Sequence, residues 1–405
     1  MQAVEKSTES MSRCGFRGAG VNDGLLGTMT TLGLSVTGSA HADITDFKAM
    51  VCIYLAGGND GNNMIVPLDD KRYSQYFTQR SGAGIALSSG AGTLLGARTG
   101  GCDDQPFAFH YGMPELDQLY AKGNVAAILN VGNLPKPLTK ADYLDYVAEG
   151  VQVRGKLLPA GAQTDQPGMD FWPSNQASAR REALVQMLTV PQPSQVADTA
   201  NRALLRGMGL VTELQAASSG SPLPLALPSS GLGQQLTTVA HLIRLRATQG
   251  PGRQVYFVQL DGFDTHGGQA YHHWDMLRQL SQALAAFQEN MAQLGLDQQV
   301  TSFTMSEFGR TLQASSGGTG HAWGNHQLVV GGAVRGGLYG SFPDFTLGGQ
   351  DDATDRGVWI PKISNQQFGA TLGKWFGADS DMLTQKIFNN DRANFPAQDL
   401  GFMNV

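Results

Sequence analysis

The sequence predicts an α/β protein whose mostly parallel central sheet is covered by helices on both faces. Three observations predict it. Apolar runs of strand length open at Ala49, Val125, Val255 and Val300, and several are unbroken, as strands buried on both faces require. Amphipathic helical stretches separate them, so strand and helix alternate along the chain. Polar residues able to hold ions gather where the runs end, and open α/β sheets bind their ligands at the carboxyl ends of strands.

At 405 residues, 41% hydrophobic and 15% charged, the composition is that of a globular chain, and 52 glycines imply many turns. A net charge of −6 and a pI near 5.7, with no basic block, exclude a nucleic-acid partner. No stretch reaches the roughly eighteen apolar residues of a spanning helix, so no stable membrane insertion is expected.

Residues 1–42 are expected to be an export leader, placing the mature protein in the periplasm or outside the cell. A mildly apolar stretch from Leu25 to Val36 precedes a small-x-small cleavage site at Ala40-His41-Ala42. Read from Met11, the leader opens Met-Ser-Arg-Cys-Gly-Phe-Arg, a twin-arginine-like start with Cys14 in one arginine position. Of the other cysteines, Cys52 reads as a small buried hydrophobe, and a Cys52–Cys102 disulfide needs an oxidising compartment. Residues 43–405 then form a single domain.

The first strand, Ala49–Leu55, ends at Gly57-Gly58-Asn59-Asp60-Gly61, a turn that can bring the Asp60 carboxylate to a ligand. A loop-rich region holding Tyr73, Tyr76 and Arg80 follows. A helix from Pro114 to a stop at Gly123 leads into a second strand, Val125–Val131, making a βαβ-type crossover. Thr139 caps the next helix. A hydroxyl there suits a nucleophile attacking an anionic ester, although an ordinary cap is the commoner role. Residues 159–230 read as a reduced cap or insertion region, with helices near 177–188 and 195–216.

A helix carrying Leu232, Leu236, Val239 and Ile243 ends at Gly250-Pro251-Gly252. Val255–Leu260 is a third buried strand, running into Asp264 and His266. A long amphipathic helix with Leu277, Leu280, Leu284, Phe287 and Met291 closes at Gly295. The Val300 strand follows and breaks at Ser306-Glu307-Phe308-Gly309-Arg310. A Ser/Gly loop then leads to His321 and His326 on either side of Trp323. Carboxylates and imidazoles are metal ligands, and an Arg such as Arg310 can clamp an oxyanion. Ser364 with Gln367 forms a capping box for a last helix up to Gly377.

The wording of AGGNDGNN, RQVYFVQLDGFDTH, TMSEFGRTL and GHAWGNHQLVVGGAVRGGLYG resembles an exported bacterial family catalogued as domain of unknown function 1501, placed in the alkaline phosphatase and sulfatase superfamily. The resemblance runs from about Lys48 to the C-terminus. It implies an alkaline-phosphatase-like α/β/α sandwich with one or two divalent metals (zinc, manganese or calcium) at the strand ends. Asp60, Asp264, His266, Glu307 and either His321 or His326 would be ligands, Thr139 the nucleophile, and Arg310 or Lys140 the holders of non-bridging oxygens. The function so implied is hydrolysis of phosphate or sulfate esters by an exported enzyme. The chain also departs from the pattern: Phe308 replaces a histidine, Gly320 an aspartate, and Ala162-Gln163 a Ser-His pair. Losses at strand ends with the strands kept are what a catalytically inactive binding protein of the same fold, taking a glycan, an anion or a protein, would show. A structural surface protein is a third reading.

Overall fold

The computed structural model describes residues 47–90, 94–101, 104–148, 222–246, 252–388 and 391–405. The leader with Cys14, the residue Cys102, the helices expected near 177–188 and 195–216, nearly all of the 159–230 region and the Gly250-Pro251 stop lie outside the described residues.

A seven-stranded sheet forms the centre. Its strands are β1 (Lys48–Ala56), β5 (Val125–Gly132), β6 (Arg253–Asp261), β7 (Val300–Met305), β10 (Asn325–Gly331), β11 (Gly337–Tyr339) and β12 (Ile363–Ser364). The order is β11-β5-β10-β7-β1-β6, with β12 also on β5. β1 pairs in parallel with β6 and β7, and β5 with β11 and β12, while β10 is antiparallel to both its neighbours. The fold is thus mixed α/β with a mostly parallel sheet. Because β10 runs backwards, its first residues reach the same edge as the last residues of β1, β6 and β7.

Alternate residues of the strands feed two cores. Val51, Ile53, Leu55, Val125, Ala127, Leu129, Leu328 and Val330 face helices α2 (Pro114–Ala121), α4 (Gly231–Arg244) and α5 (Gln269–Gln293). Met50, Cys52, Ala126, Ile128, Phe303 and Val329 face α6 (Asn365–Phe376), through Phe368, Leu372 and Trp375. The Ser364–Gln367 capping box is present and Gly377, at φ 112, ends the helix. Cys52 is a free, buried thiol that burial pushes up to about 12. Among the described residues no helix is long and apolar enough to cross a membrane.

The crossover from β1 to β5 joins two parallel strands of one sheet, passing over β7 and β10. Three expectations need correction. β6 is an edge strand, with Val255 47% and Phe257 62% exposed, so its apolar run is buried on one face only. The region read as loop after Asp60 holds helix α1 (Asp70–Ser81), whose Asp69 side chain accepts from the Arg72 amide. It also holds a small antiparallel sheet of β2 (Ile65–Pro67), β4 (Gln105–Phe109) and β3 (Arg98–Gly100). Finally, the Ser/Gly stretch before His321 is a hairpin of β8 (Arg310–Ser315) and β9 (Gly318–His321). These elements are short and turn-rich, and short apolar runs carry weak periodicity.

Candidate metal centre

Three turns meet at the strand-end edge. Gly57 and Gly58 follow β1 at φ 110 and 84, conformations that favour glycine. A Cβ at Gly57 would strike the Asp264 backbone, and one at Gly58 the Phe308 ring, so the glycines admit the turns after β6 and β7. The Glu307 carboxylate accepts from the Gly57 amide at 3.0 and 3.1 Å and from the Gly58 amide at 3.2 Å. Arg310, 1% exposed, binds the assembly from inside. It donates to the carbonyls of Gly57, Gly58 (2.8 Å), Phe263 (2.9 Å) and Thr319 (3.0 Å), and to Asp264 Oδ1 at 2.6 Å.

On this platform Asp264, His266 and His321 converge. Asp264 Oδ1 lies 3.0 Å from His266 Nε2 and 3.1 Å from His321 Nε2, and the two Nε2 atoms are 3.0 Å apart. Phe308 stacks on His321 with centroids 4.2 Å apart. All three residues are exposed. Partial burial alone pushes the Asp264 carboxyl up, but hydrogen bonds from Arg310 and His321, together with charge from Arg310 and His266, outweigh it and hold it below the usual carboxylate range. With both Nε2 atoms deprotonated, the three atoms would form a donor set for a cation. Asp264, His266 and His321 would hold a divalent cation there, which would supply Lewis acidity to a bound oxygen.

The other sequence-predicted residues are elsewhere. Asp60 is buried and turned inward to Arg80 of α1, with Nη1 to Oδ2 at 2.5 Å. Burial raises its carboxyl, and Arg80, aided by His273 and Gln269, more than reverses this, so its net direction is down. Arg80 spends every donor of its fork on Asp60, Asn63 and the carbonyls of Thr311 and Leu312. Glu307 is taken up by the glycine amides. His326 is buried with Nδ1 accepting from the Asn130 amide at 3.0 Å, and burial lowers it to about 4. Arg310 is spent on carbonyls and Asp264, inside the protein, so it is a tie between turns rather than an oxyanion clamp. Thr139 is a cap of α3 (Lys140–Ala148), its hydroxyl 2.7 Å from Asp142 Oδ2, and Lys140 Nζ donates to the Gly348 carbonyl at 2.7 Å. All six of these residues are thus engaged by partners within the fold and do not join the cluster.

Sequence reasoning missed Arg80 and Gln269, the two side chains bonded to Asp60. Arg80 had a signal, since Tyr73, Tyr76 and Arg80 stand at helical spacing behind an Asp69 cap. Gln269, one polar residue at a helix start, had none.

The fold and the strand-end cluster define an α/β protein with a mostly parallel sheet and a candidate ligand group on its carboxyl edge. Residues 139–394 match the family described as protein of unknown function, DUF1501, and the chain belongs to that family. The matched span includes Asp264, His266 and His321, whereas Asp60 precedes it. No match was found among curated proteins.

Proposed function

We propose that this protein is an exported, metal-dependent, hydrolase-like protein acting on anionic phosphate or sulfate esters, with Asp264, His266 and His321 as its metal ligands. The observation that carries the reading is the mutual 3.0–3.1 Å separation of their three ligand atoms. Two imidazoles and one carboxylate suit zinc or manganese better than calcium, which takes six to eight oxygens. A bound divalent ion would supply Lewis acidity to an ester or water oxygen on its open side. Arg310 orients the Asp264 carboxylate by its 2.6 Å bond and offsets its charge. A divalent ion would add positive charge there, which suits an anionic ligand. The motif resemblance to the alkaline phosphatase and sulfatase superfamily supports the ester class.

A second reading, a non-catalytic binding protein on the same scaffold, is favoured by two observations. The Thr139 hydroxyl is engaged by Asp142, and Arg310 is buried against carbonyls. Elemental analysis of purified protein reconstituted with Zn²⁺ or Mn²⁺ tests both. One equivalent retained by wild type and lost in Asp264→Ala is expected, and wild type that retains none sinks the metal reading. With metal retained, turnover of chromogenic phosphate or sulfate esters selects the hydrolase, and binding without turnover selects the alternative.

A further inference from the structure

Gln269 opens α5 directly behind the candidate centre and is fully buried. Its amide is used at both ends. Nε2 donates to Asp60 Oδ2, and Oε1 accepts from the hydroxyls of Thr265 at 3.1 Å and Thr319 at 2.7 Å. A carboxylate can only accept, so Asp60 dictates which end of the amide is which. Thr265 sits between Asp264 and His266, and Thr319 lies two residues before His321. The backbone repeats the link, with the Thr319 amide donating to the Thr265 carbonyl at 3.1 Å and the Gln269 amide to the Gly317 carbonyl at 3.0 Å.

We infer that Gln269 is a positioning residue for the candidate metal centre, clamping the turn after β6 to β9 and so setting the separation of Asp264 and His266 from His321. The inference rests on the proposed function in taking those three residues as metal ligands. Its physical basis is that a metal site needs its ligands held within about 0.5 Å by a supporting shell. His266 and His321 are half-exposed, so their placement is set from beneath, by the segments that carry them. Arg310 joins the same segments through the Phe263 and Thr319 carbonyls, and Gln269 joins them through side chains flanking the ligands. The anchor is rigid: Asp60 is held by a guanidinium that has no donor left over. Thus a carboxylate that binds no cation itself still reaches the cation site through one amide.

The test is Gln269→Met, which keeps chain length but cannot donate to Asp60 and accepts only weakly in place of the amide oxygen. Zn²⁺ affinity is read by chelator competition, and Thr319 amide protection by hydrogen exchange. Zn²⁺ binding is expected to weaken about ten- to a hundredfold, and Thr319 exchange to speed up at least about tenfold. Ser364→Ala, a lost cap on α6 whose hydroxyl accepts from the Gln367 amide and contacts none of the three candidate ligands, serves as the stability control and leaves both readings at wild type. If Gln269→Met does not fold, the double variant Thr265→Val with Thr319→Val, which keeps the Gln269 to Asp60 bond, is expected to give the same two changes. Wild-type Zn²⁺ affinity in a folded variant overturns the positioning role, and so does unchanged Thr319 exchange. Wild-type protein that takes up no Zn²⁺ sinks the proposed function instead, and Thr319 exchange then decides the clamp by itself.

Discussion

Asp60 and Asp264 both follow a strand in a glycine-containing turn, yet one serves the interior and the other faces solvent. The difference lies in their guanidinium partners. Arg80 and Asp60 are both buried, and breaking a buried, fully hydrogen-bonded pair from one side leaves a charge without compensation. Asp60→Ala is therefore expected to cost about 3–5 kcal/mol in urea unfolding. Asp264 is 57% exposed, and Arg310 keeps its carbonyl partners without it. Asp264→Ala leaves the buried Arg310 charge with carbonyl partners only, so it should cost more than the ~1 kcal/mol of a fully exposed pair but less than Asp60→Ala. Equal losses for the two variants would contradict the division between an anchor and a ligand.

At the scale of elements, the edge works because turns interlock where side chains cannot fit. Gly58 at φ 84 lies under the Phe308 ring, which stacks on His321. Gly58→Ala forces both a left-handed alanine, costing about 1–2 kcal/mol, and a collision, costing about 1–3 kcal/mol. Their sum, about 2–5 kcal/mol, is the expected loss. Phe308→Ala should relieve the second part only, so the double mutant is less destabilised than the single effects add up to. Strict additivity in a thermal or urea cycle would show that the ring does not bear on Gly58.

For the whole molecule, the buried histidines set the acid limit. His273 and His326 are lowered to about 4 and His110 well below the usual value, in each case chiefly by burial. These groups stay neutral in the folded state while the unfolded chain protonates near pH 6.5. Between those values the unfolded state binds more protons, so stability rises with pH there and is lost as pH falls from about 6.5 toward 4. Each histidine contributes a slope of up to about 1.4 kcal/mol per pH unit. Below that window Asp60 and Asp264, both lowered, lose their partners' stabilisation as they protonate. Urea midpoints at pH 7 and pH 5 check this, and equal midpoints would contradict it.

The central strands, the amphipathic helices and the α6 capping box were legible in the chain because each rests on local period or local capping chemistry. So was the idea that acidic and imidazole groups collect at strand ends, and Asp264, His266 and His321 do meet there. What the chain alone could not decide was how many of its strand-end residues would meet. Asp60, Glu307, His326 and Arg310 have the right chemistry, but each had a partner nearer in space, Arg80, the Gly57 and Gly58 amides, the Asn130 amide and four carbonyls respectively. Those partners lie up to some 250 positions away. Residue types and spacing determined the class of fold and the list of candidate ligands. Tertiary structure alone decided which candidates face outward together, because a buried polar group must be satisfied by whatever the folded chain brings beside it, and only those left over remain to hold an ion.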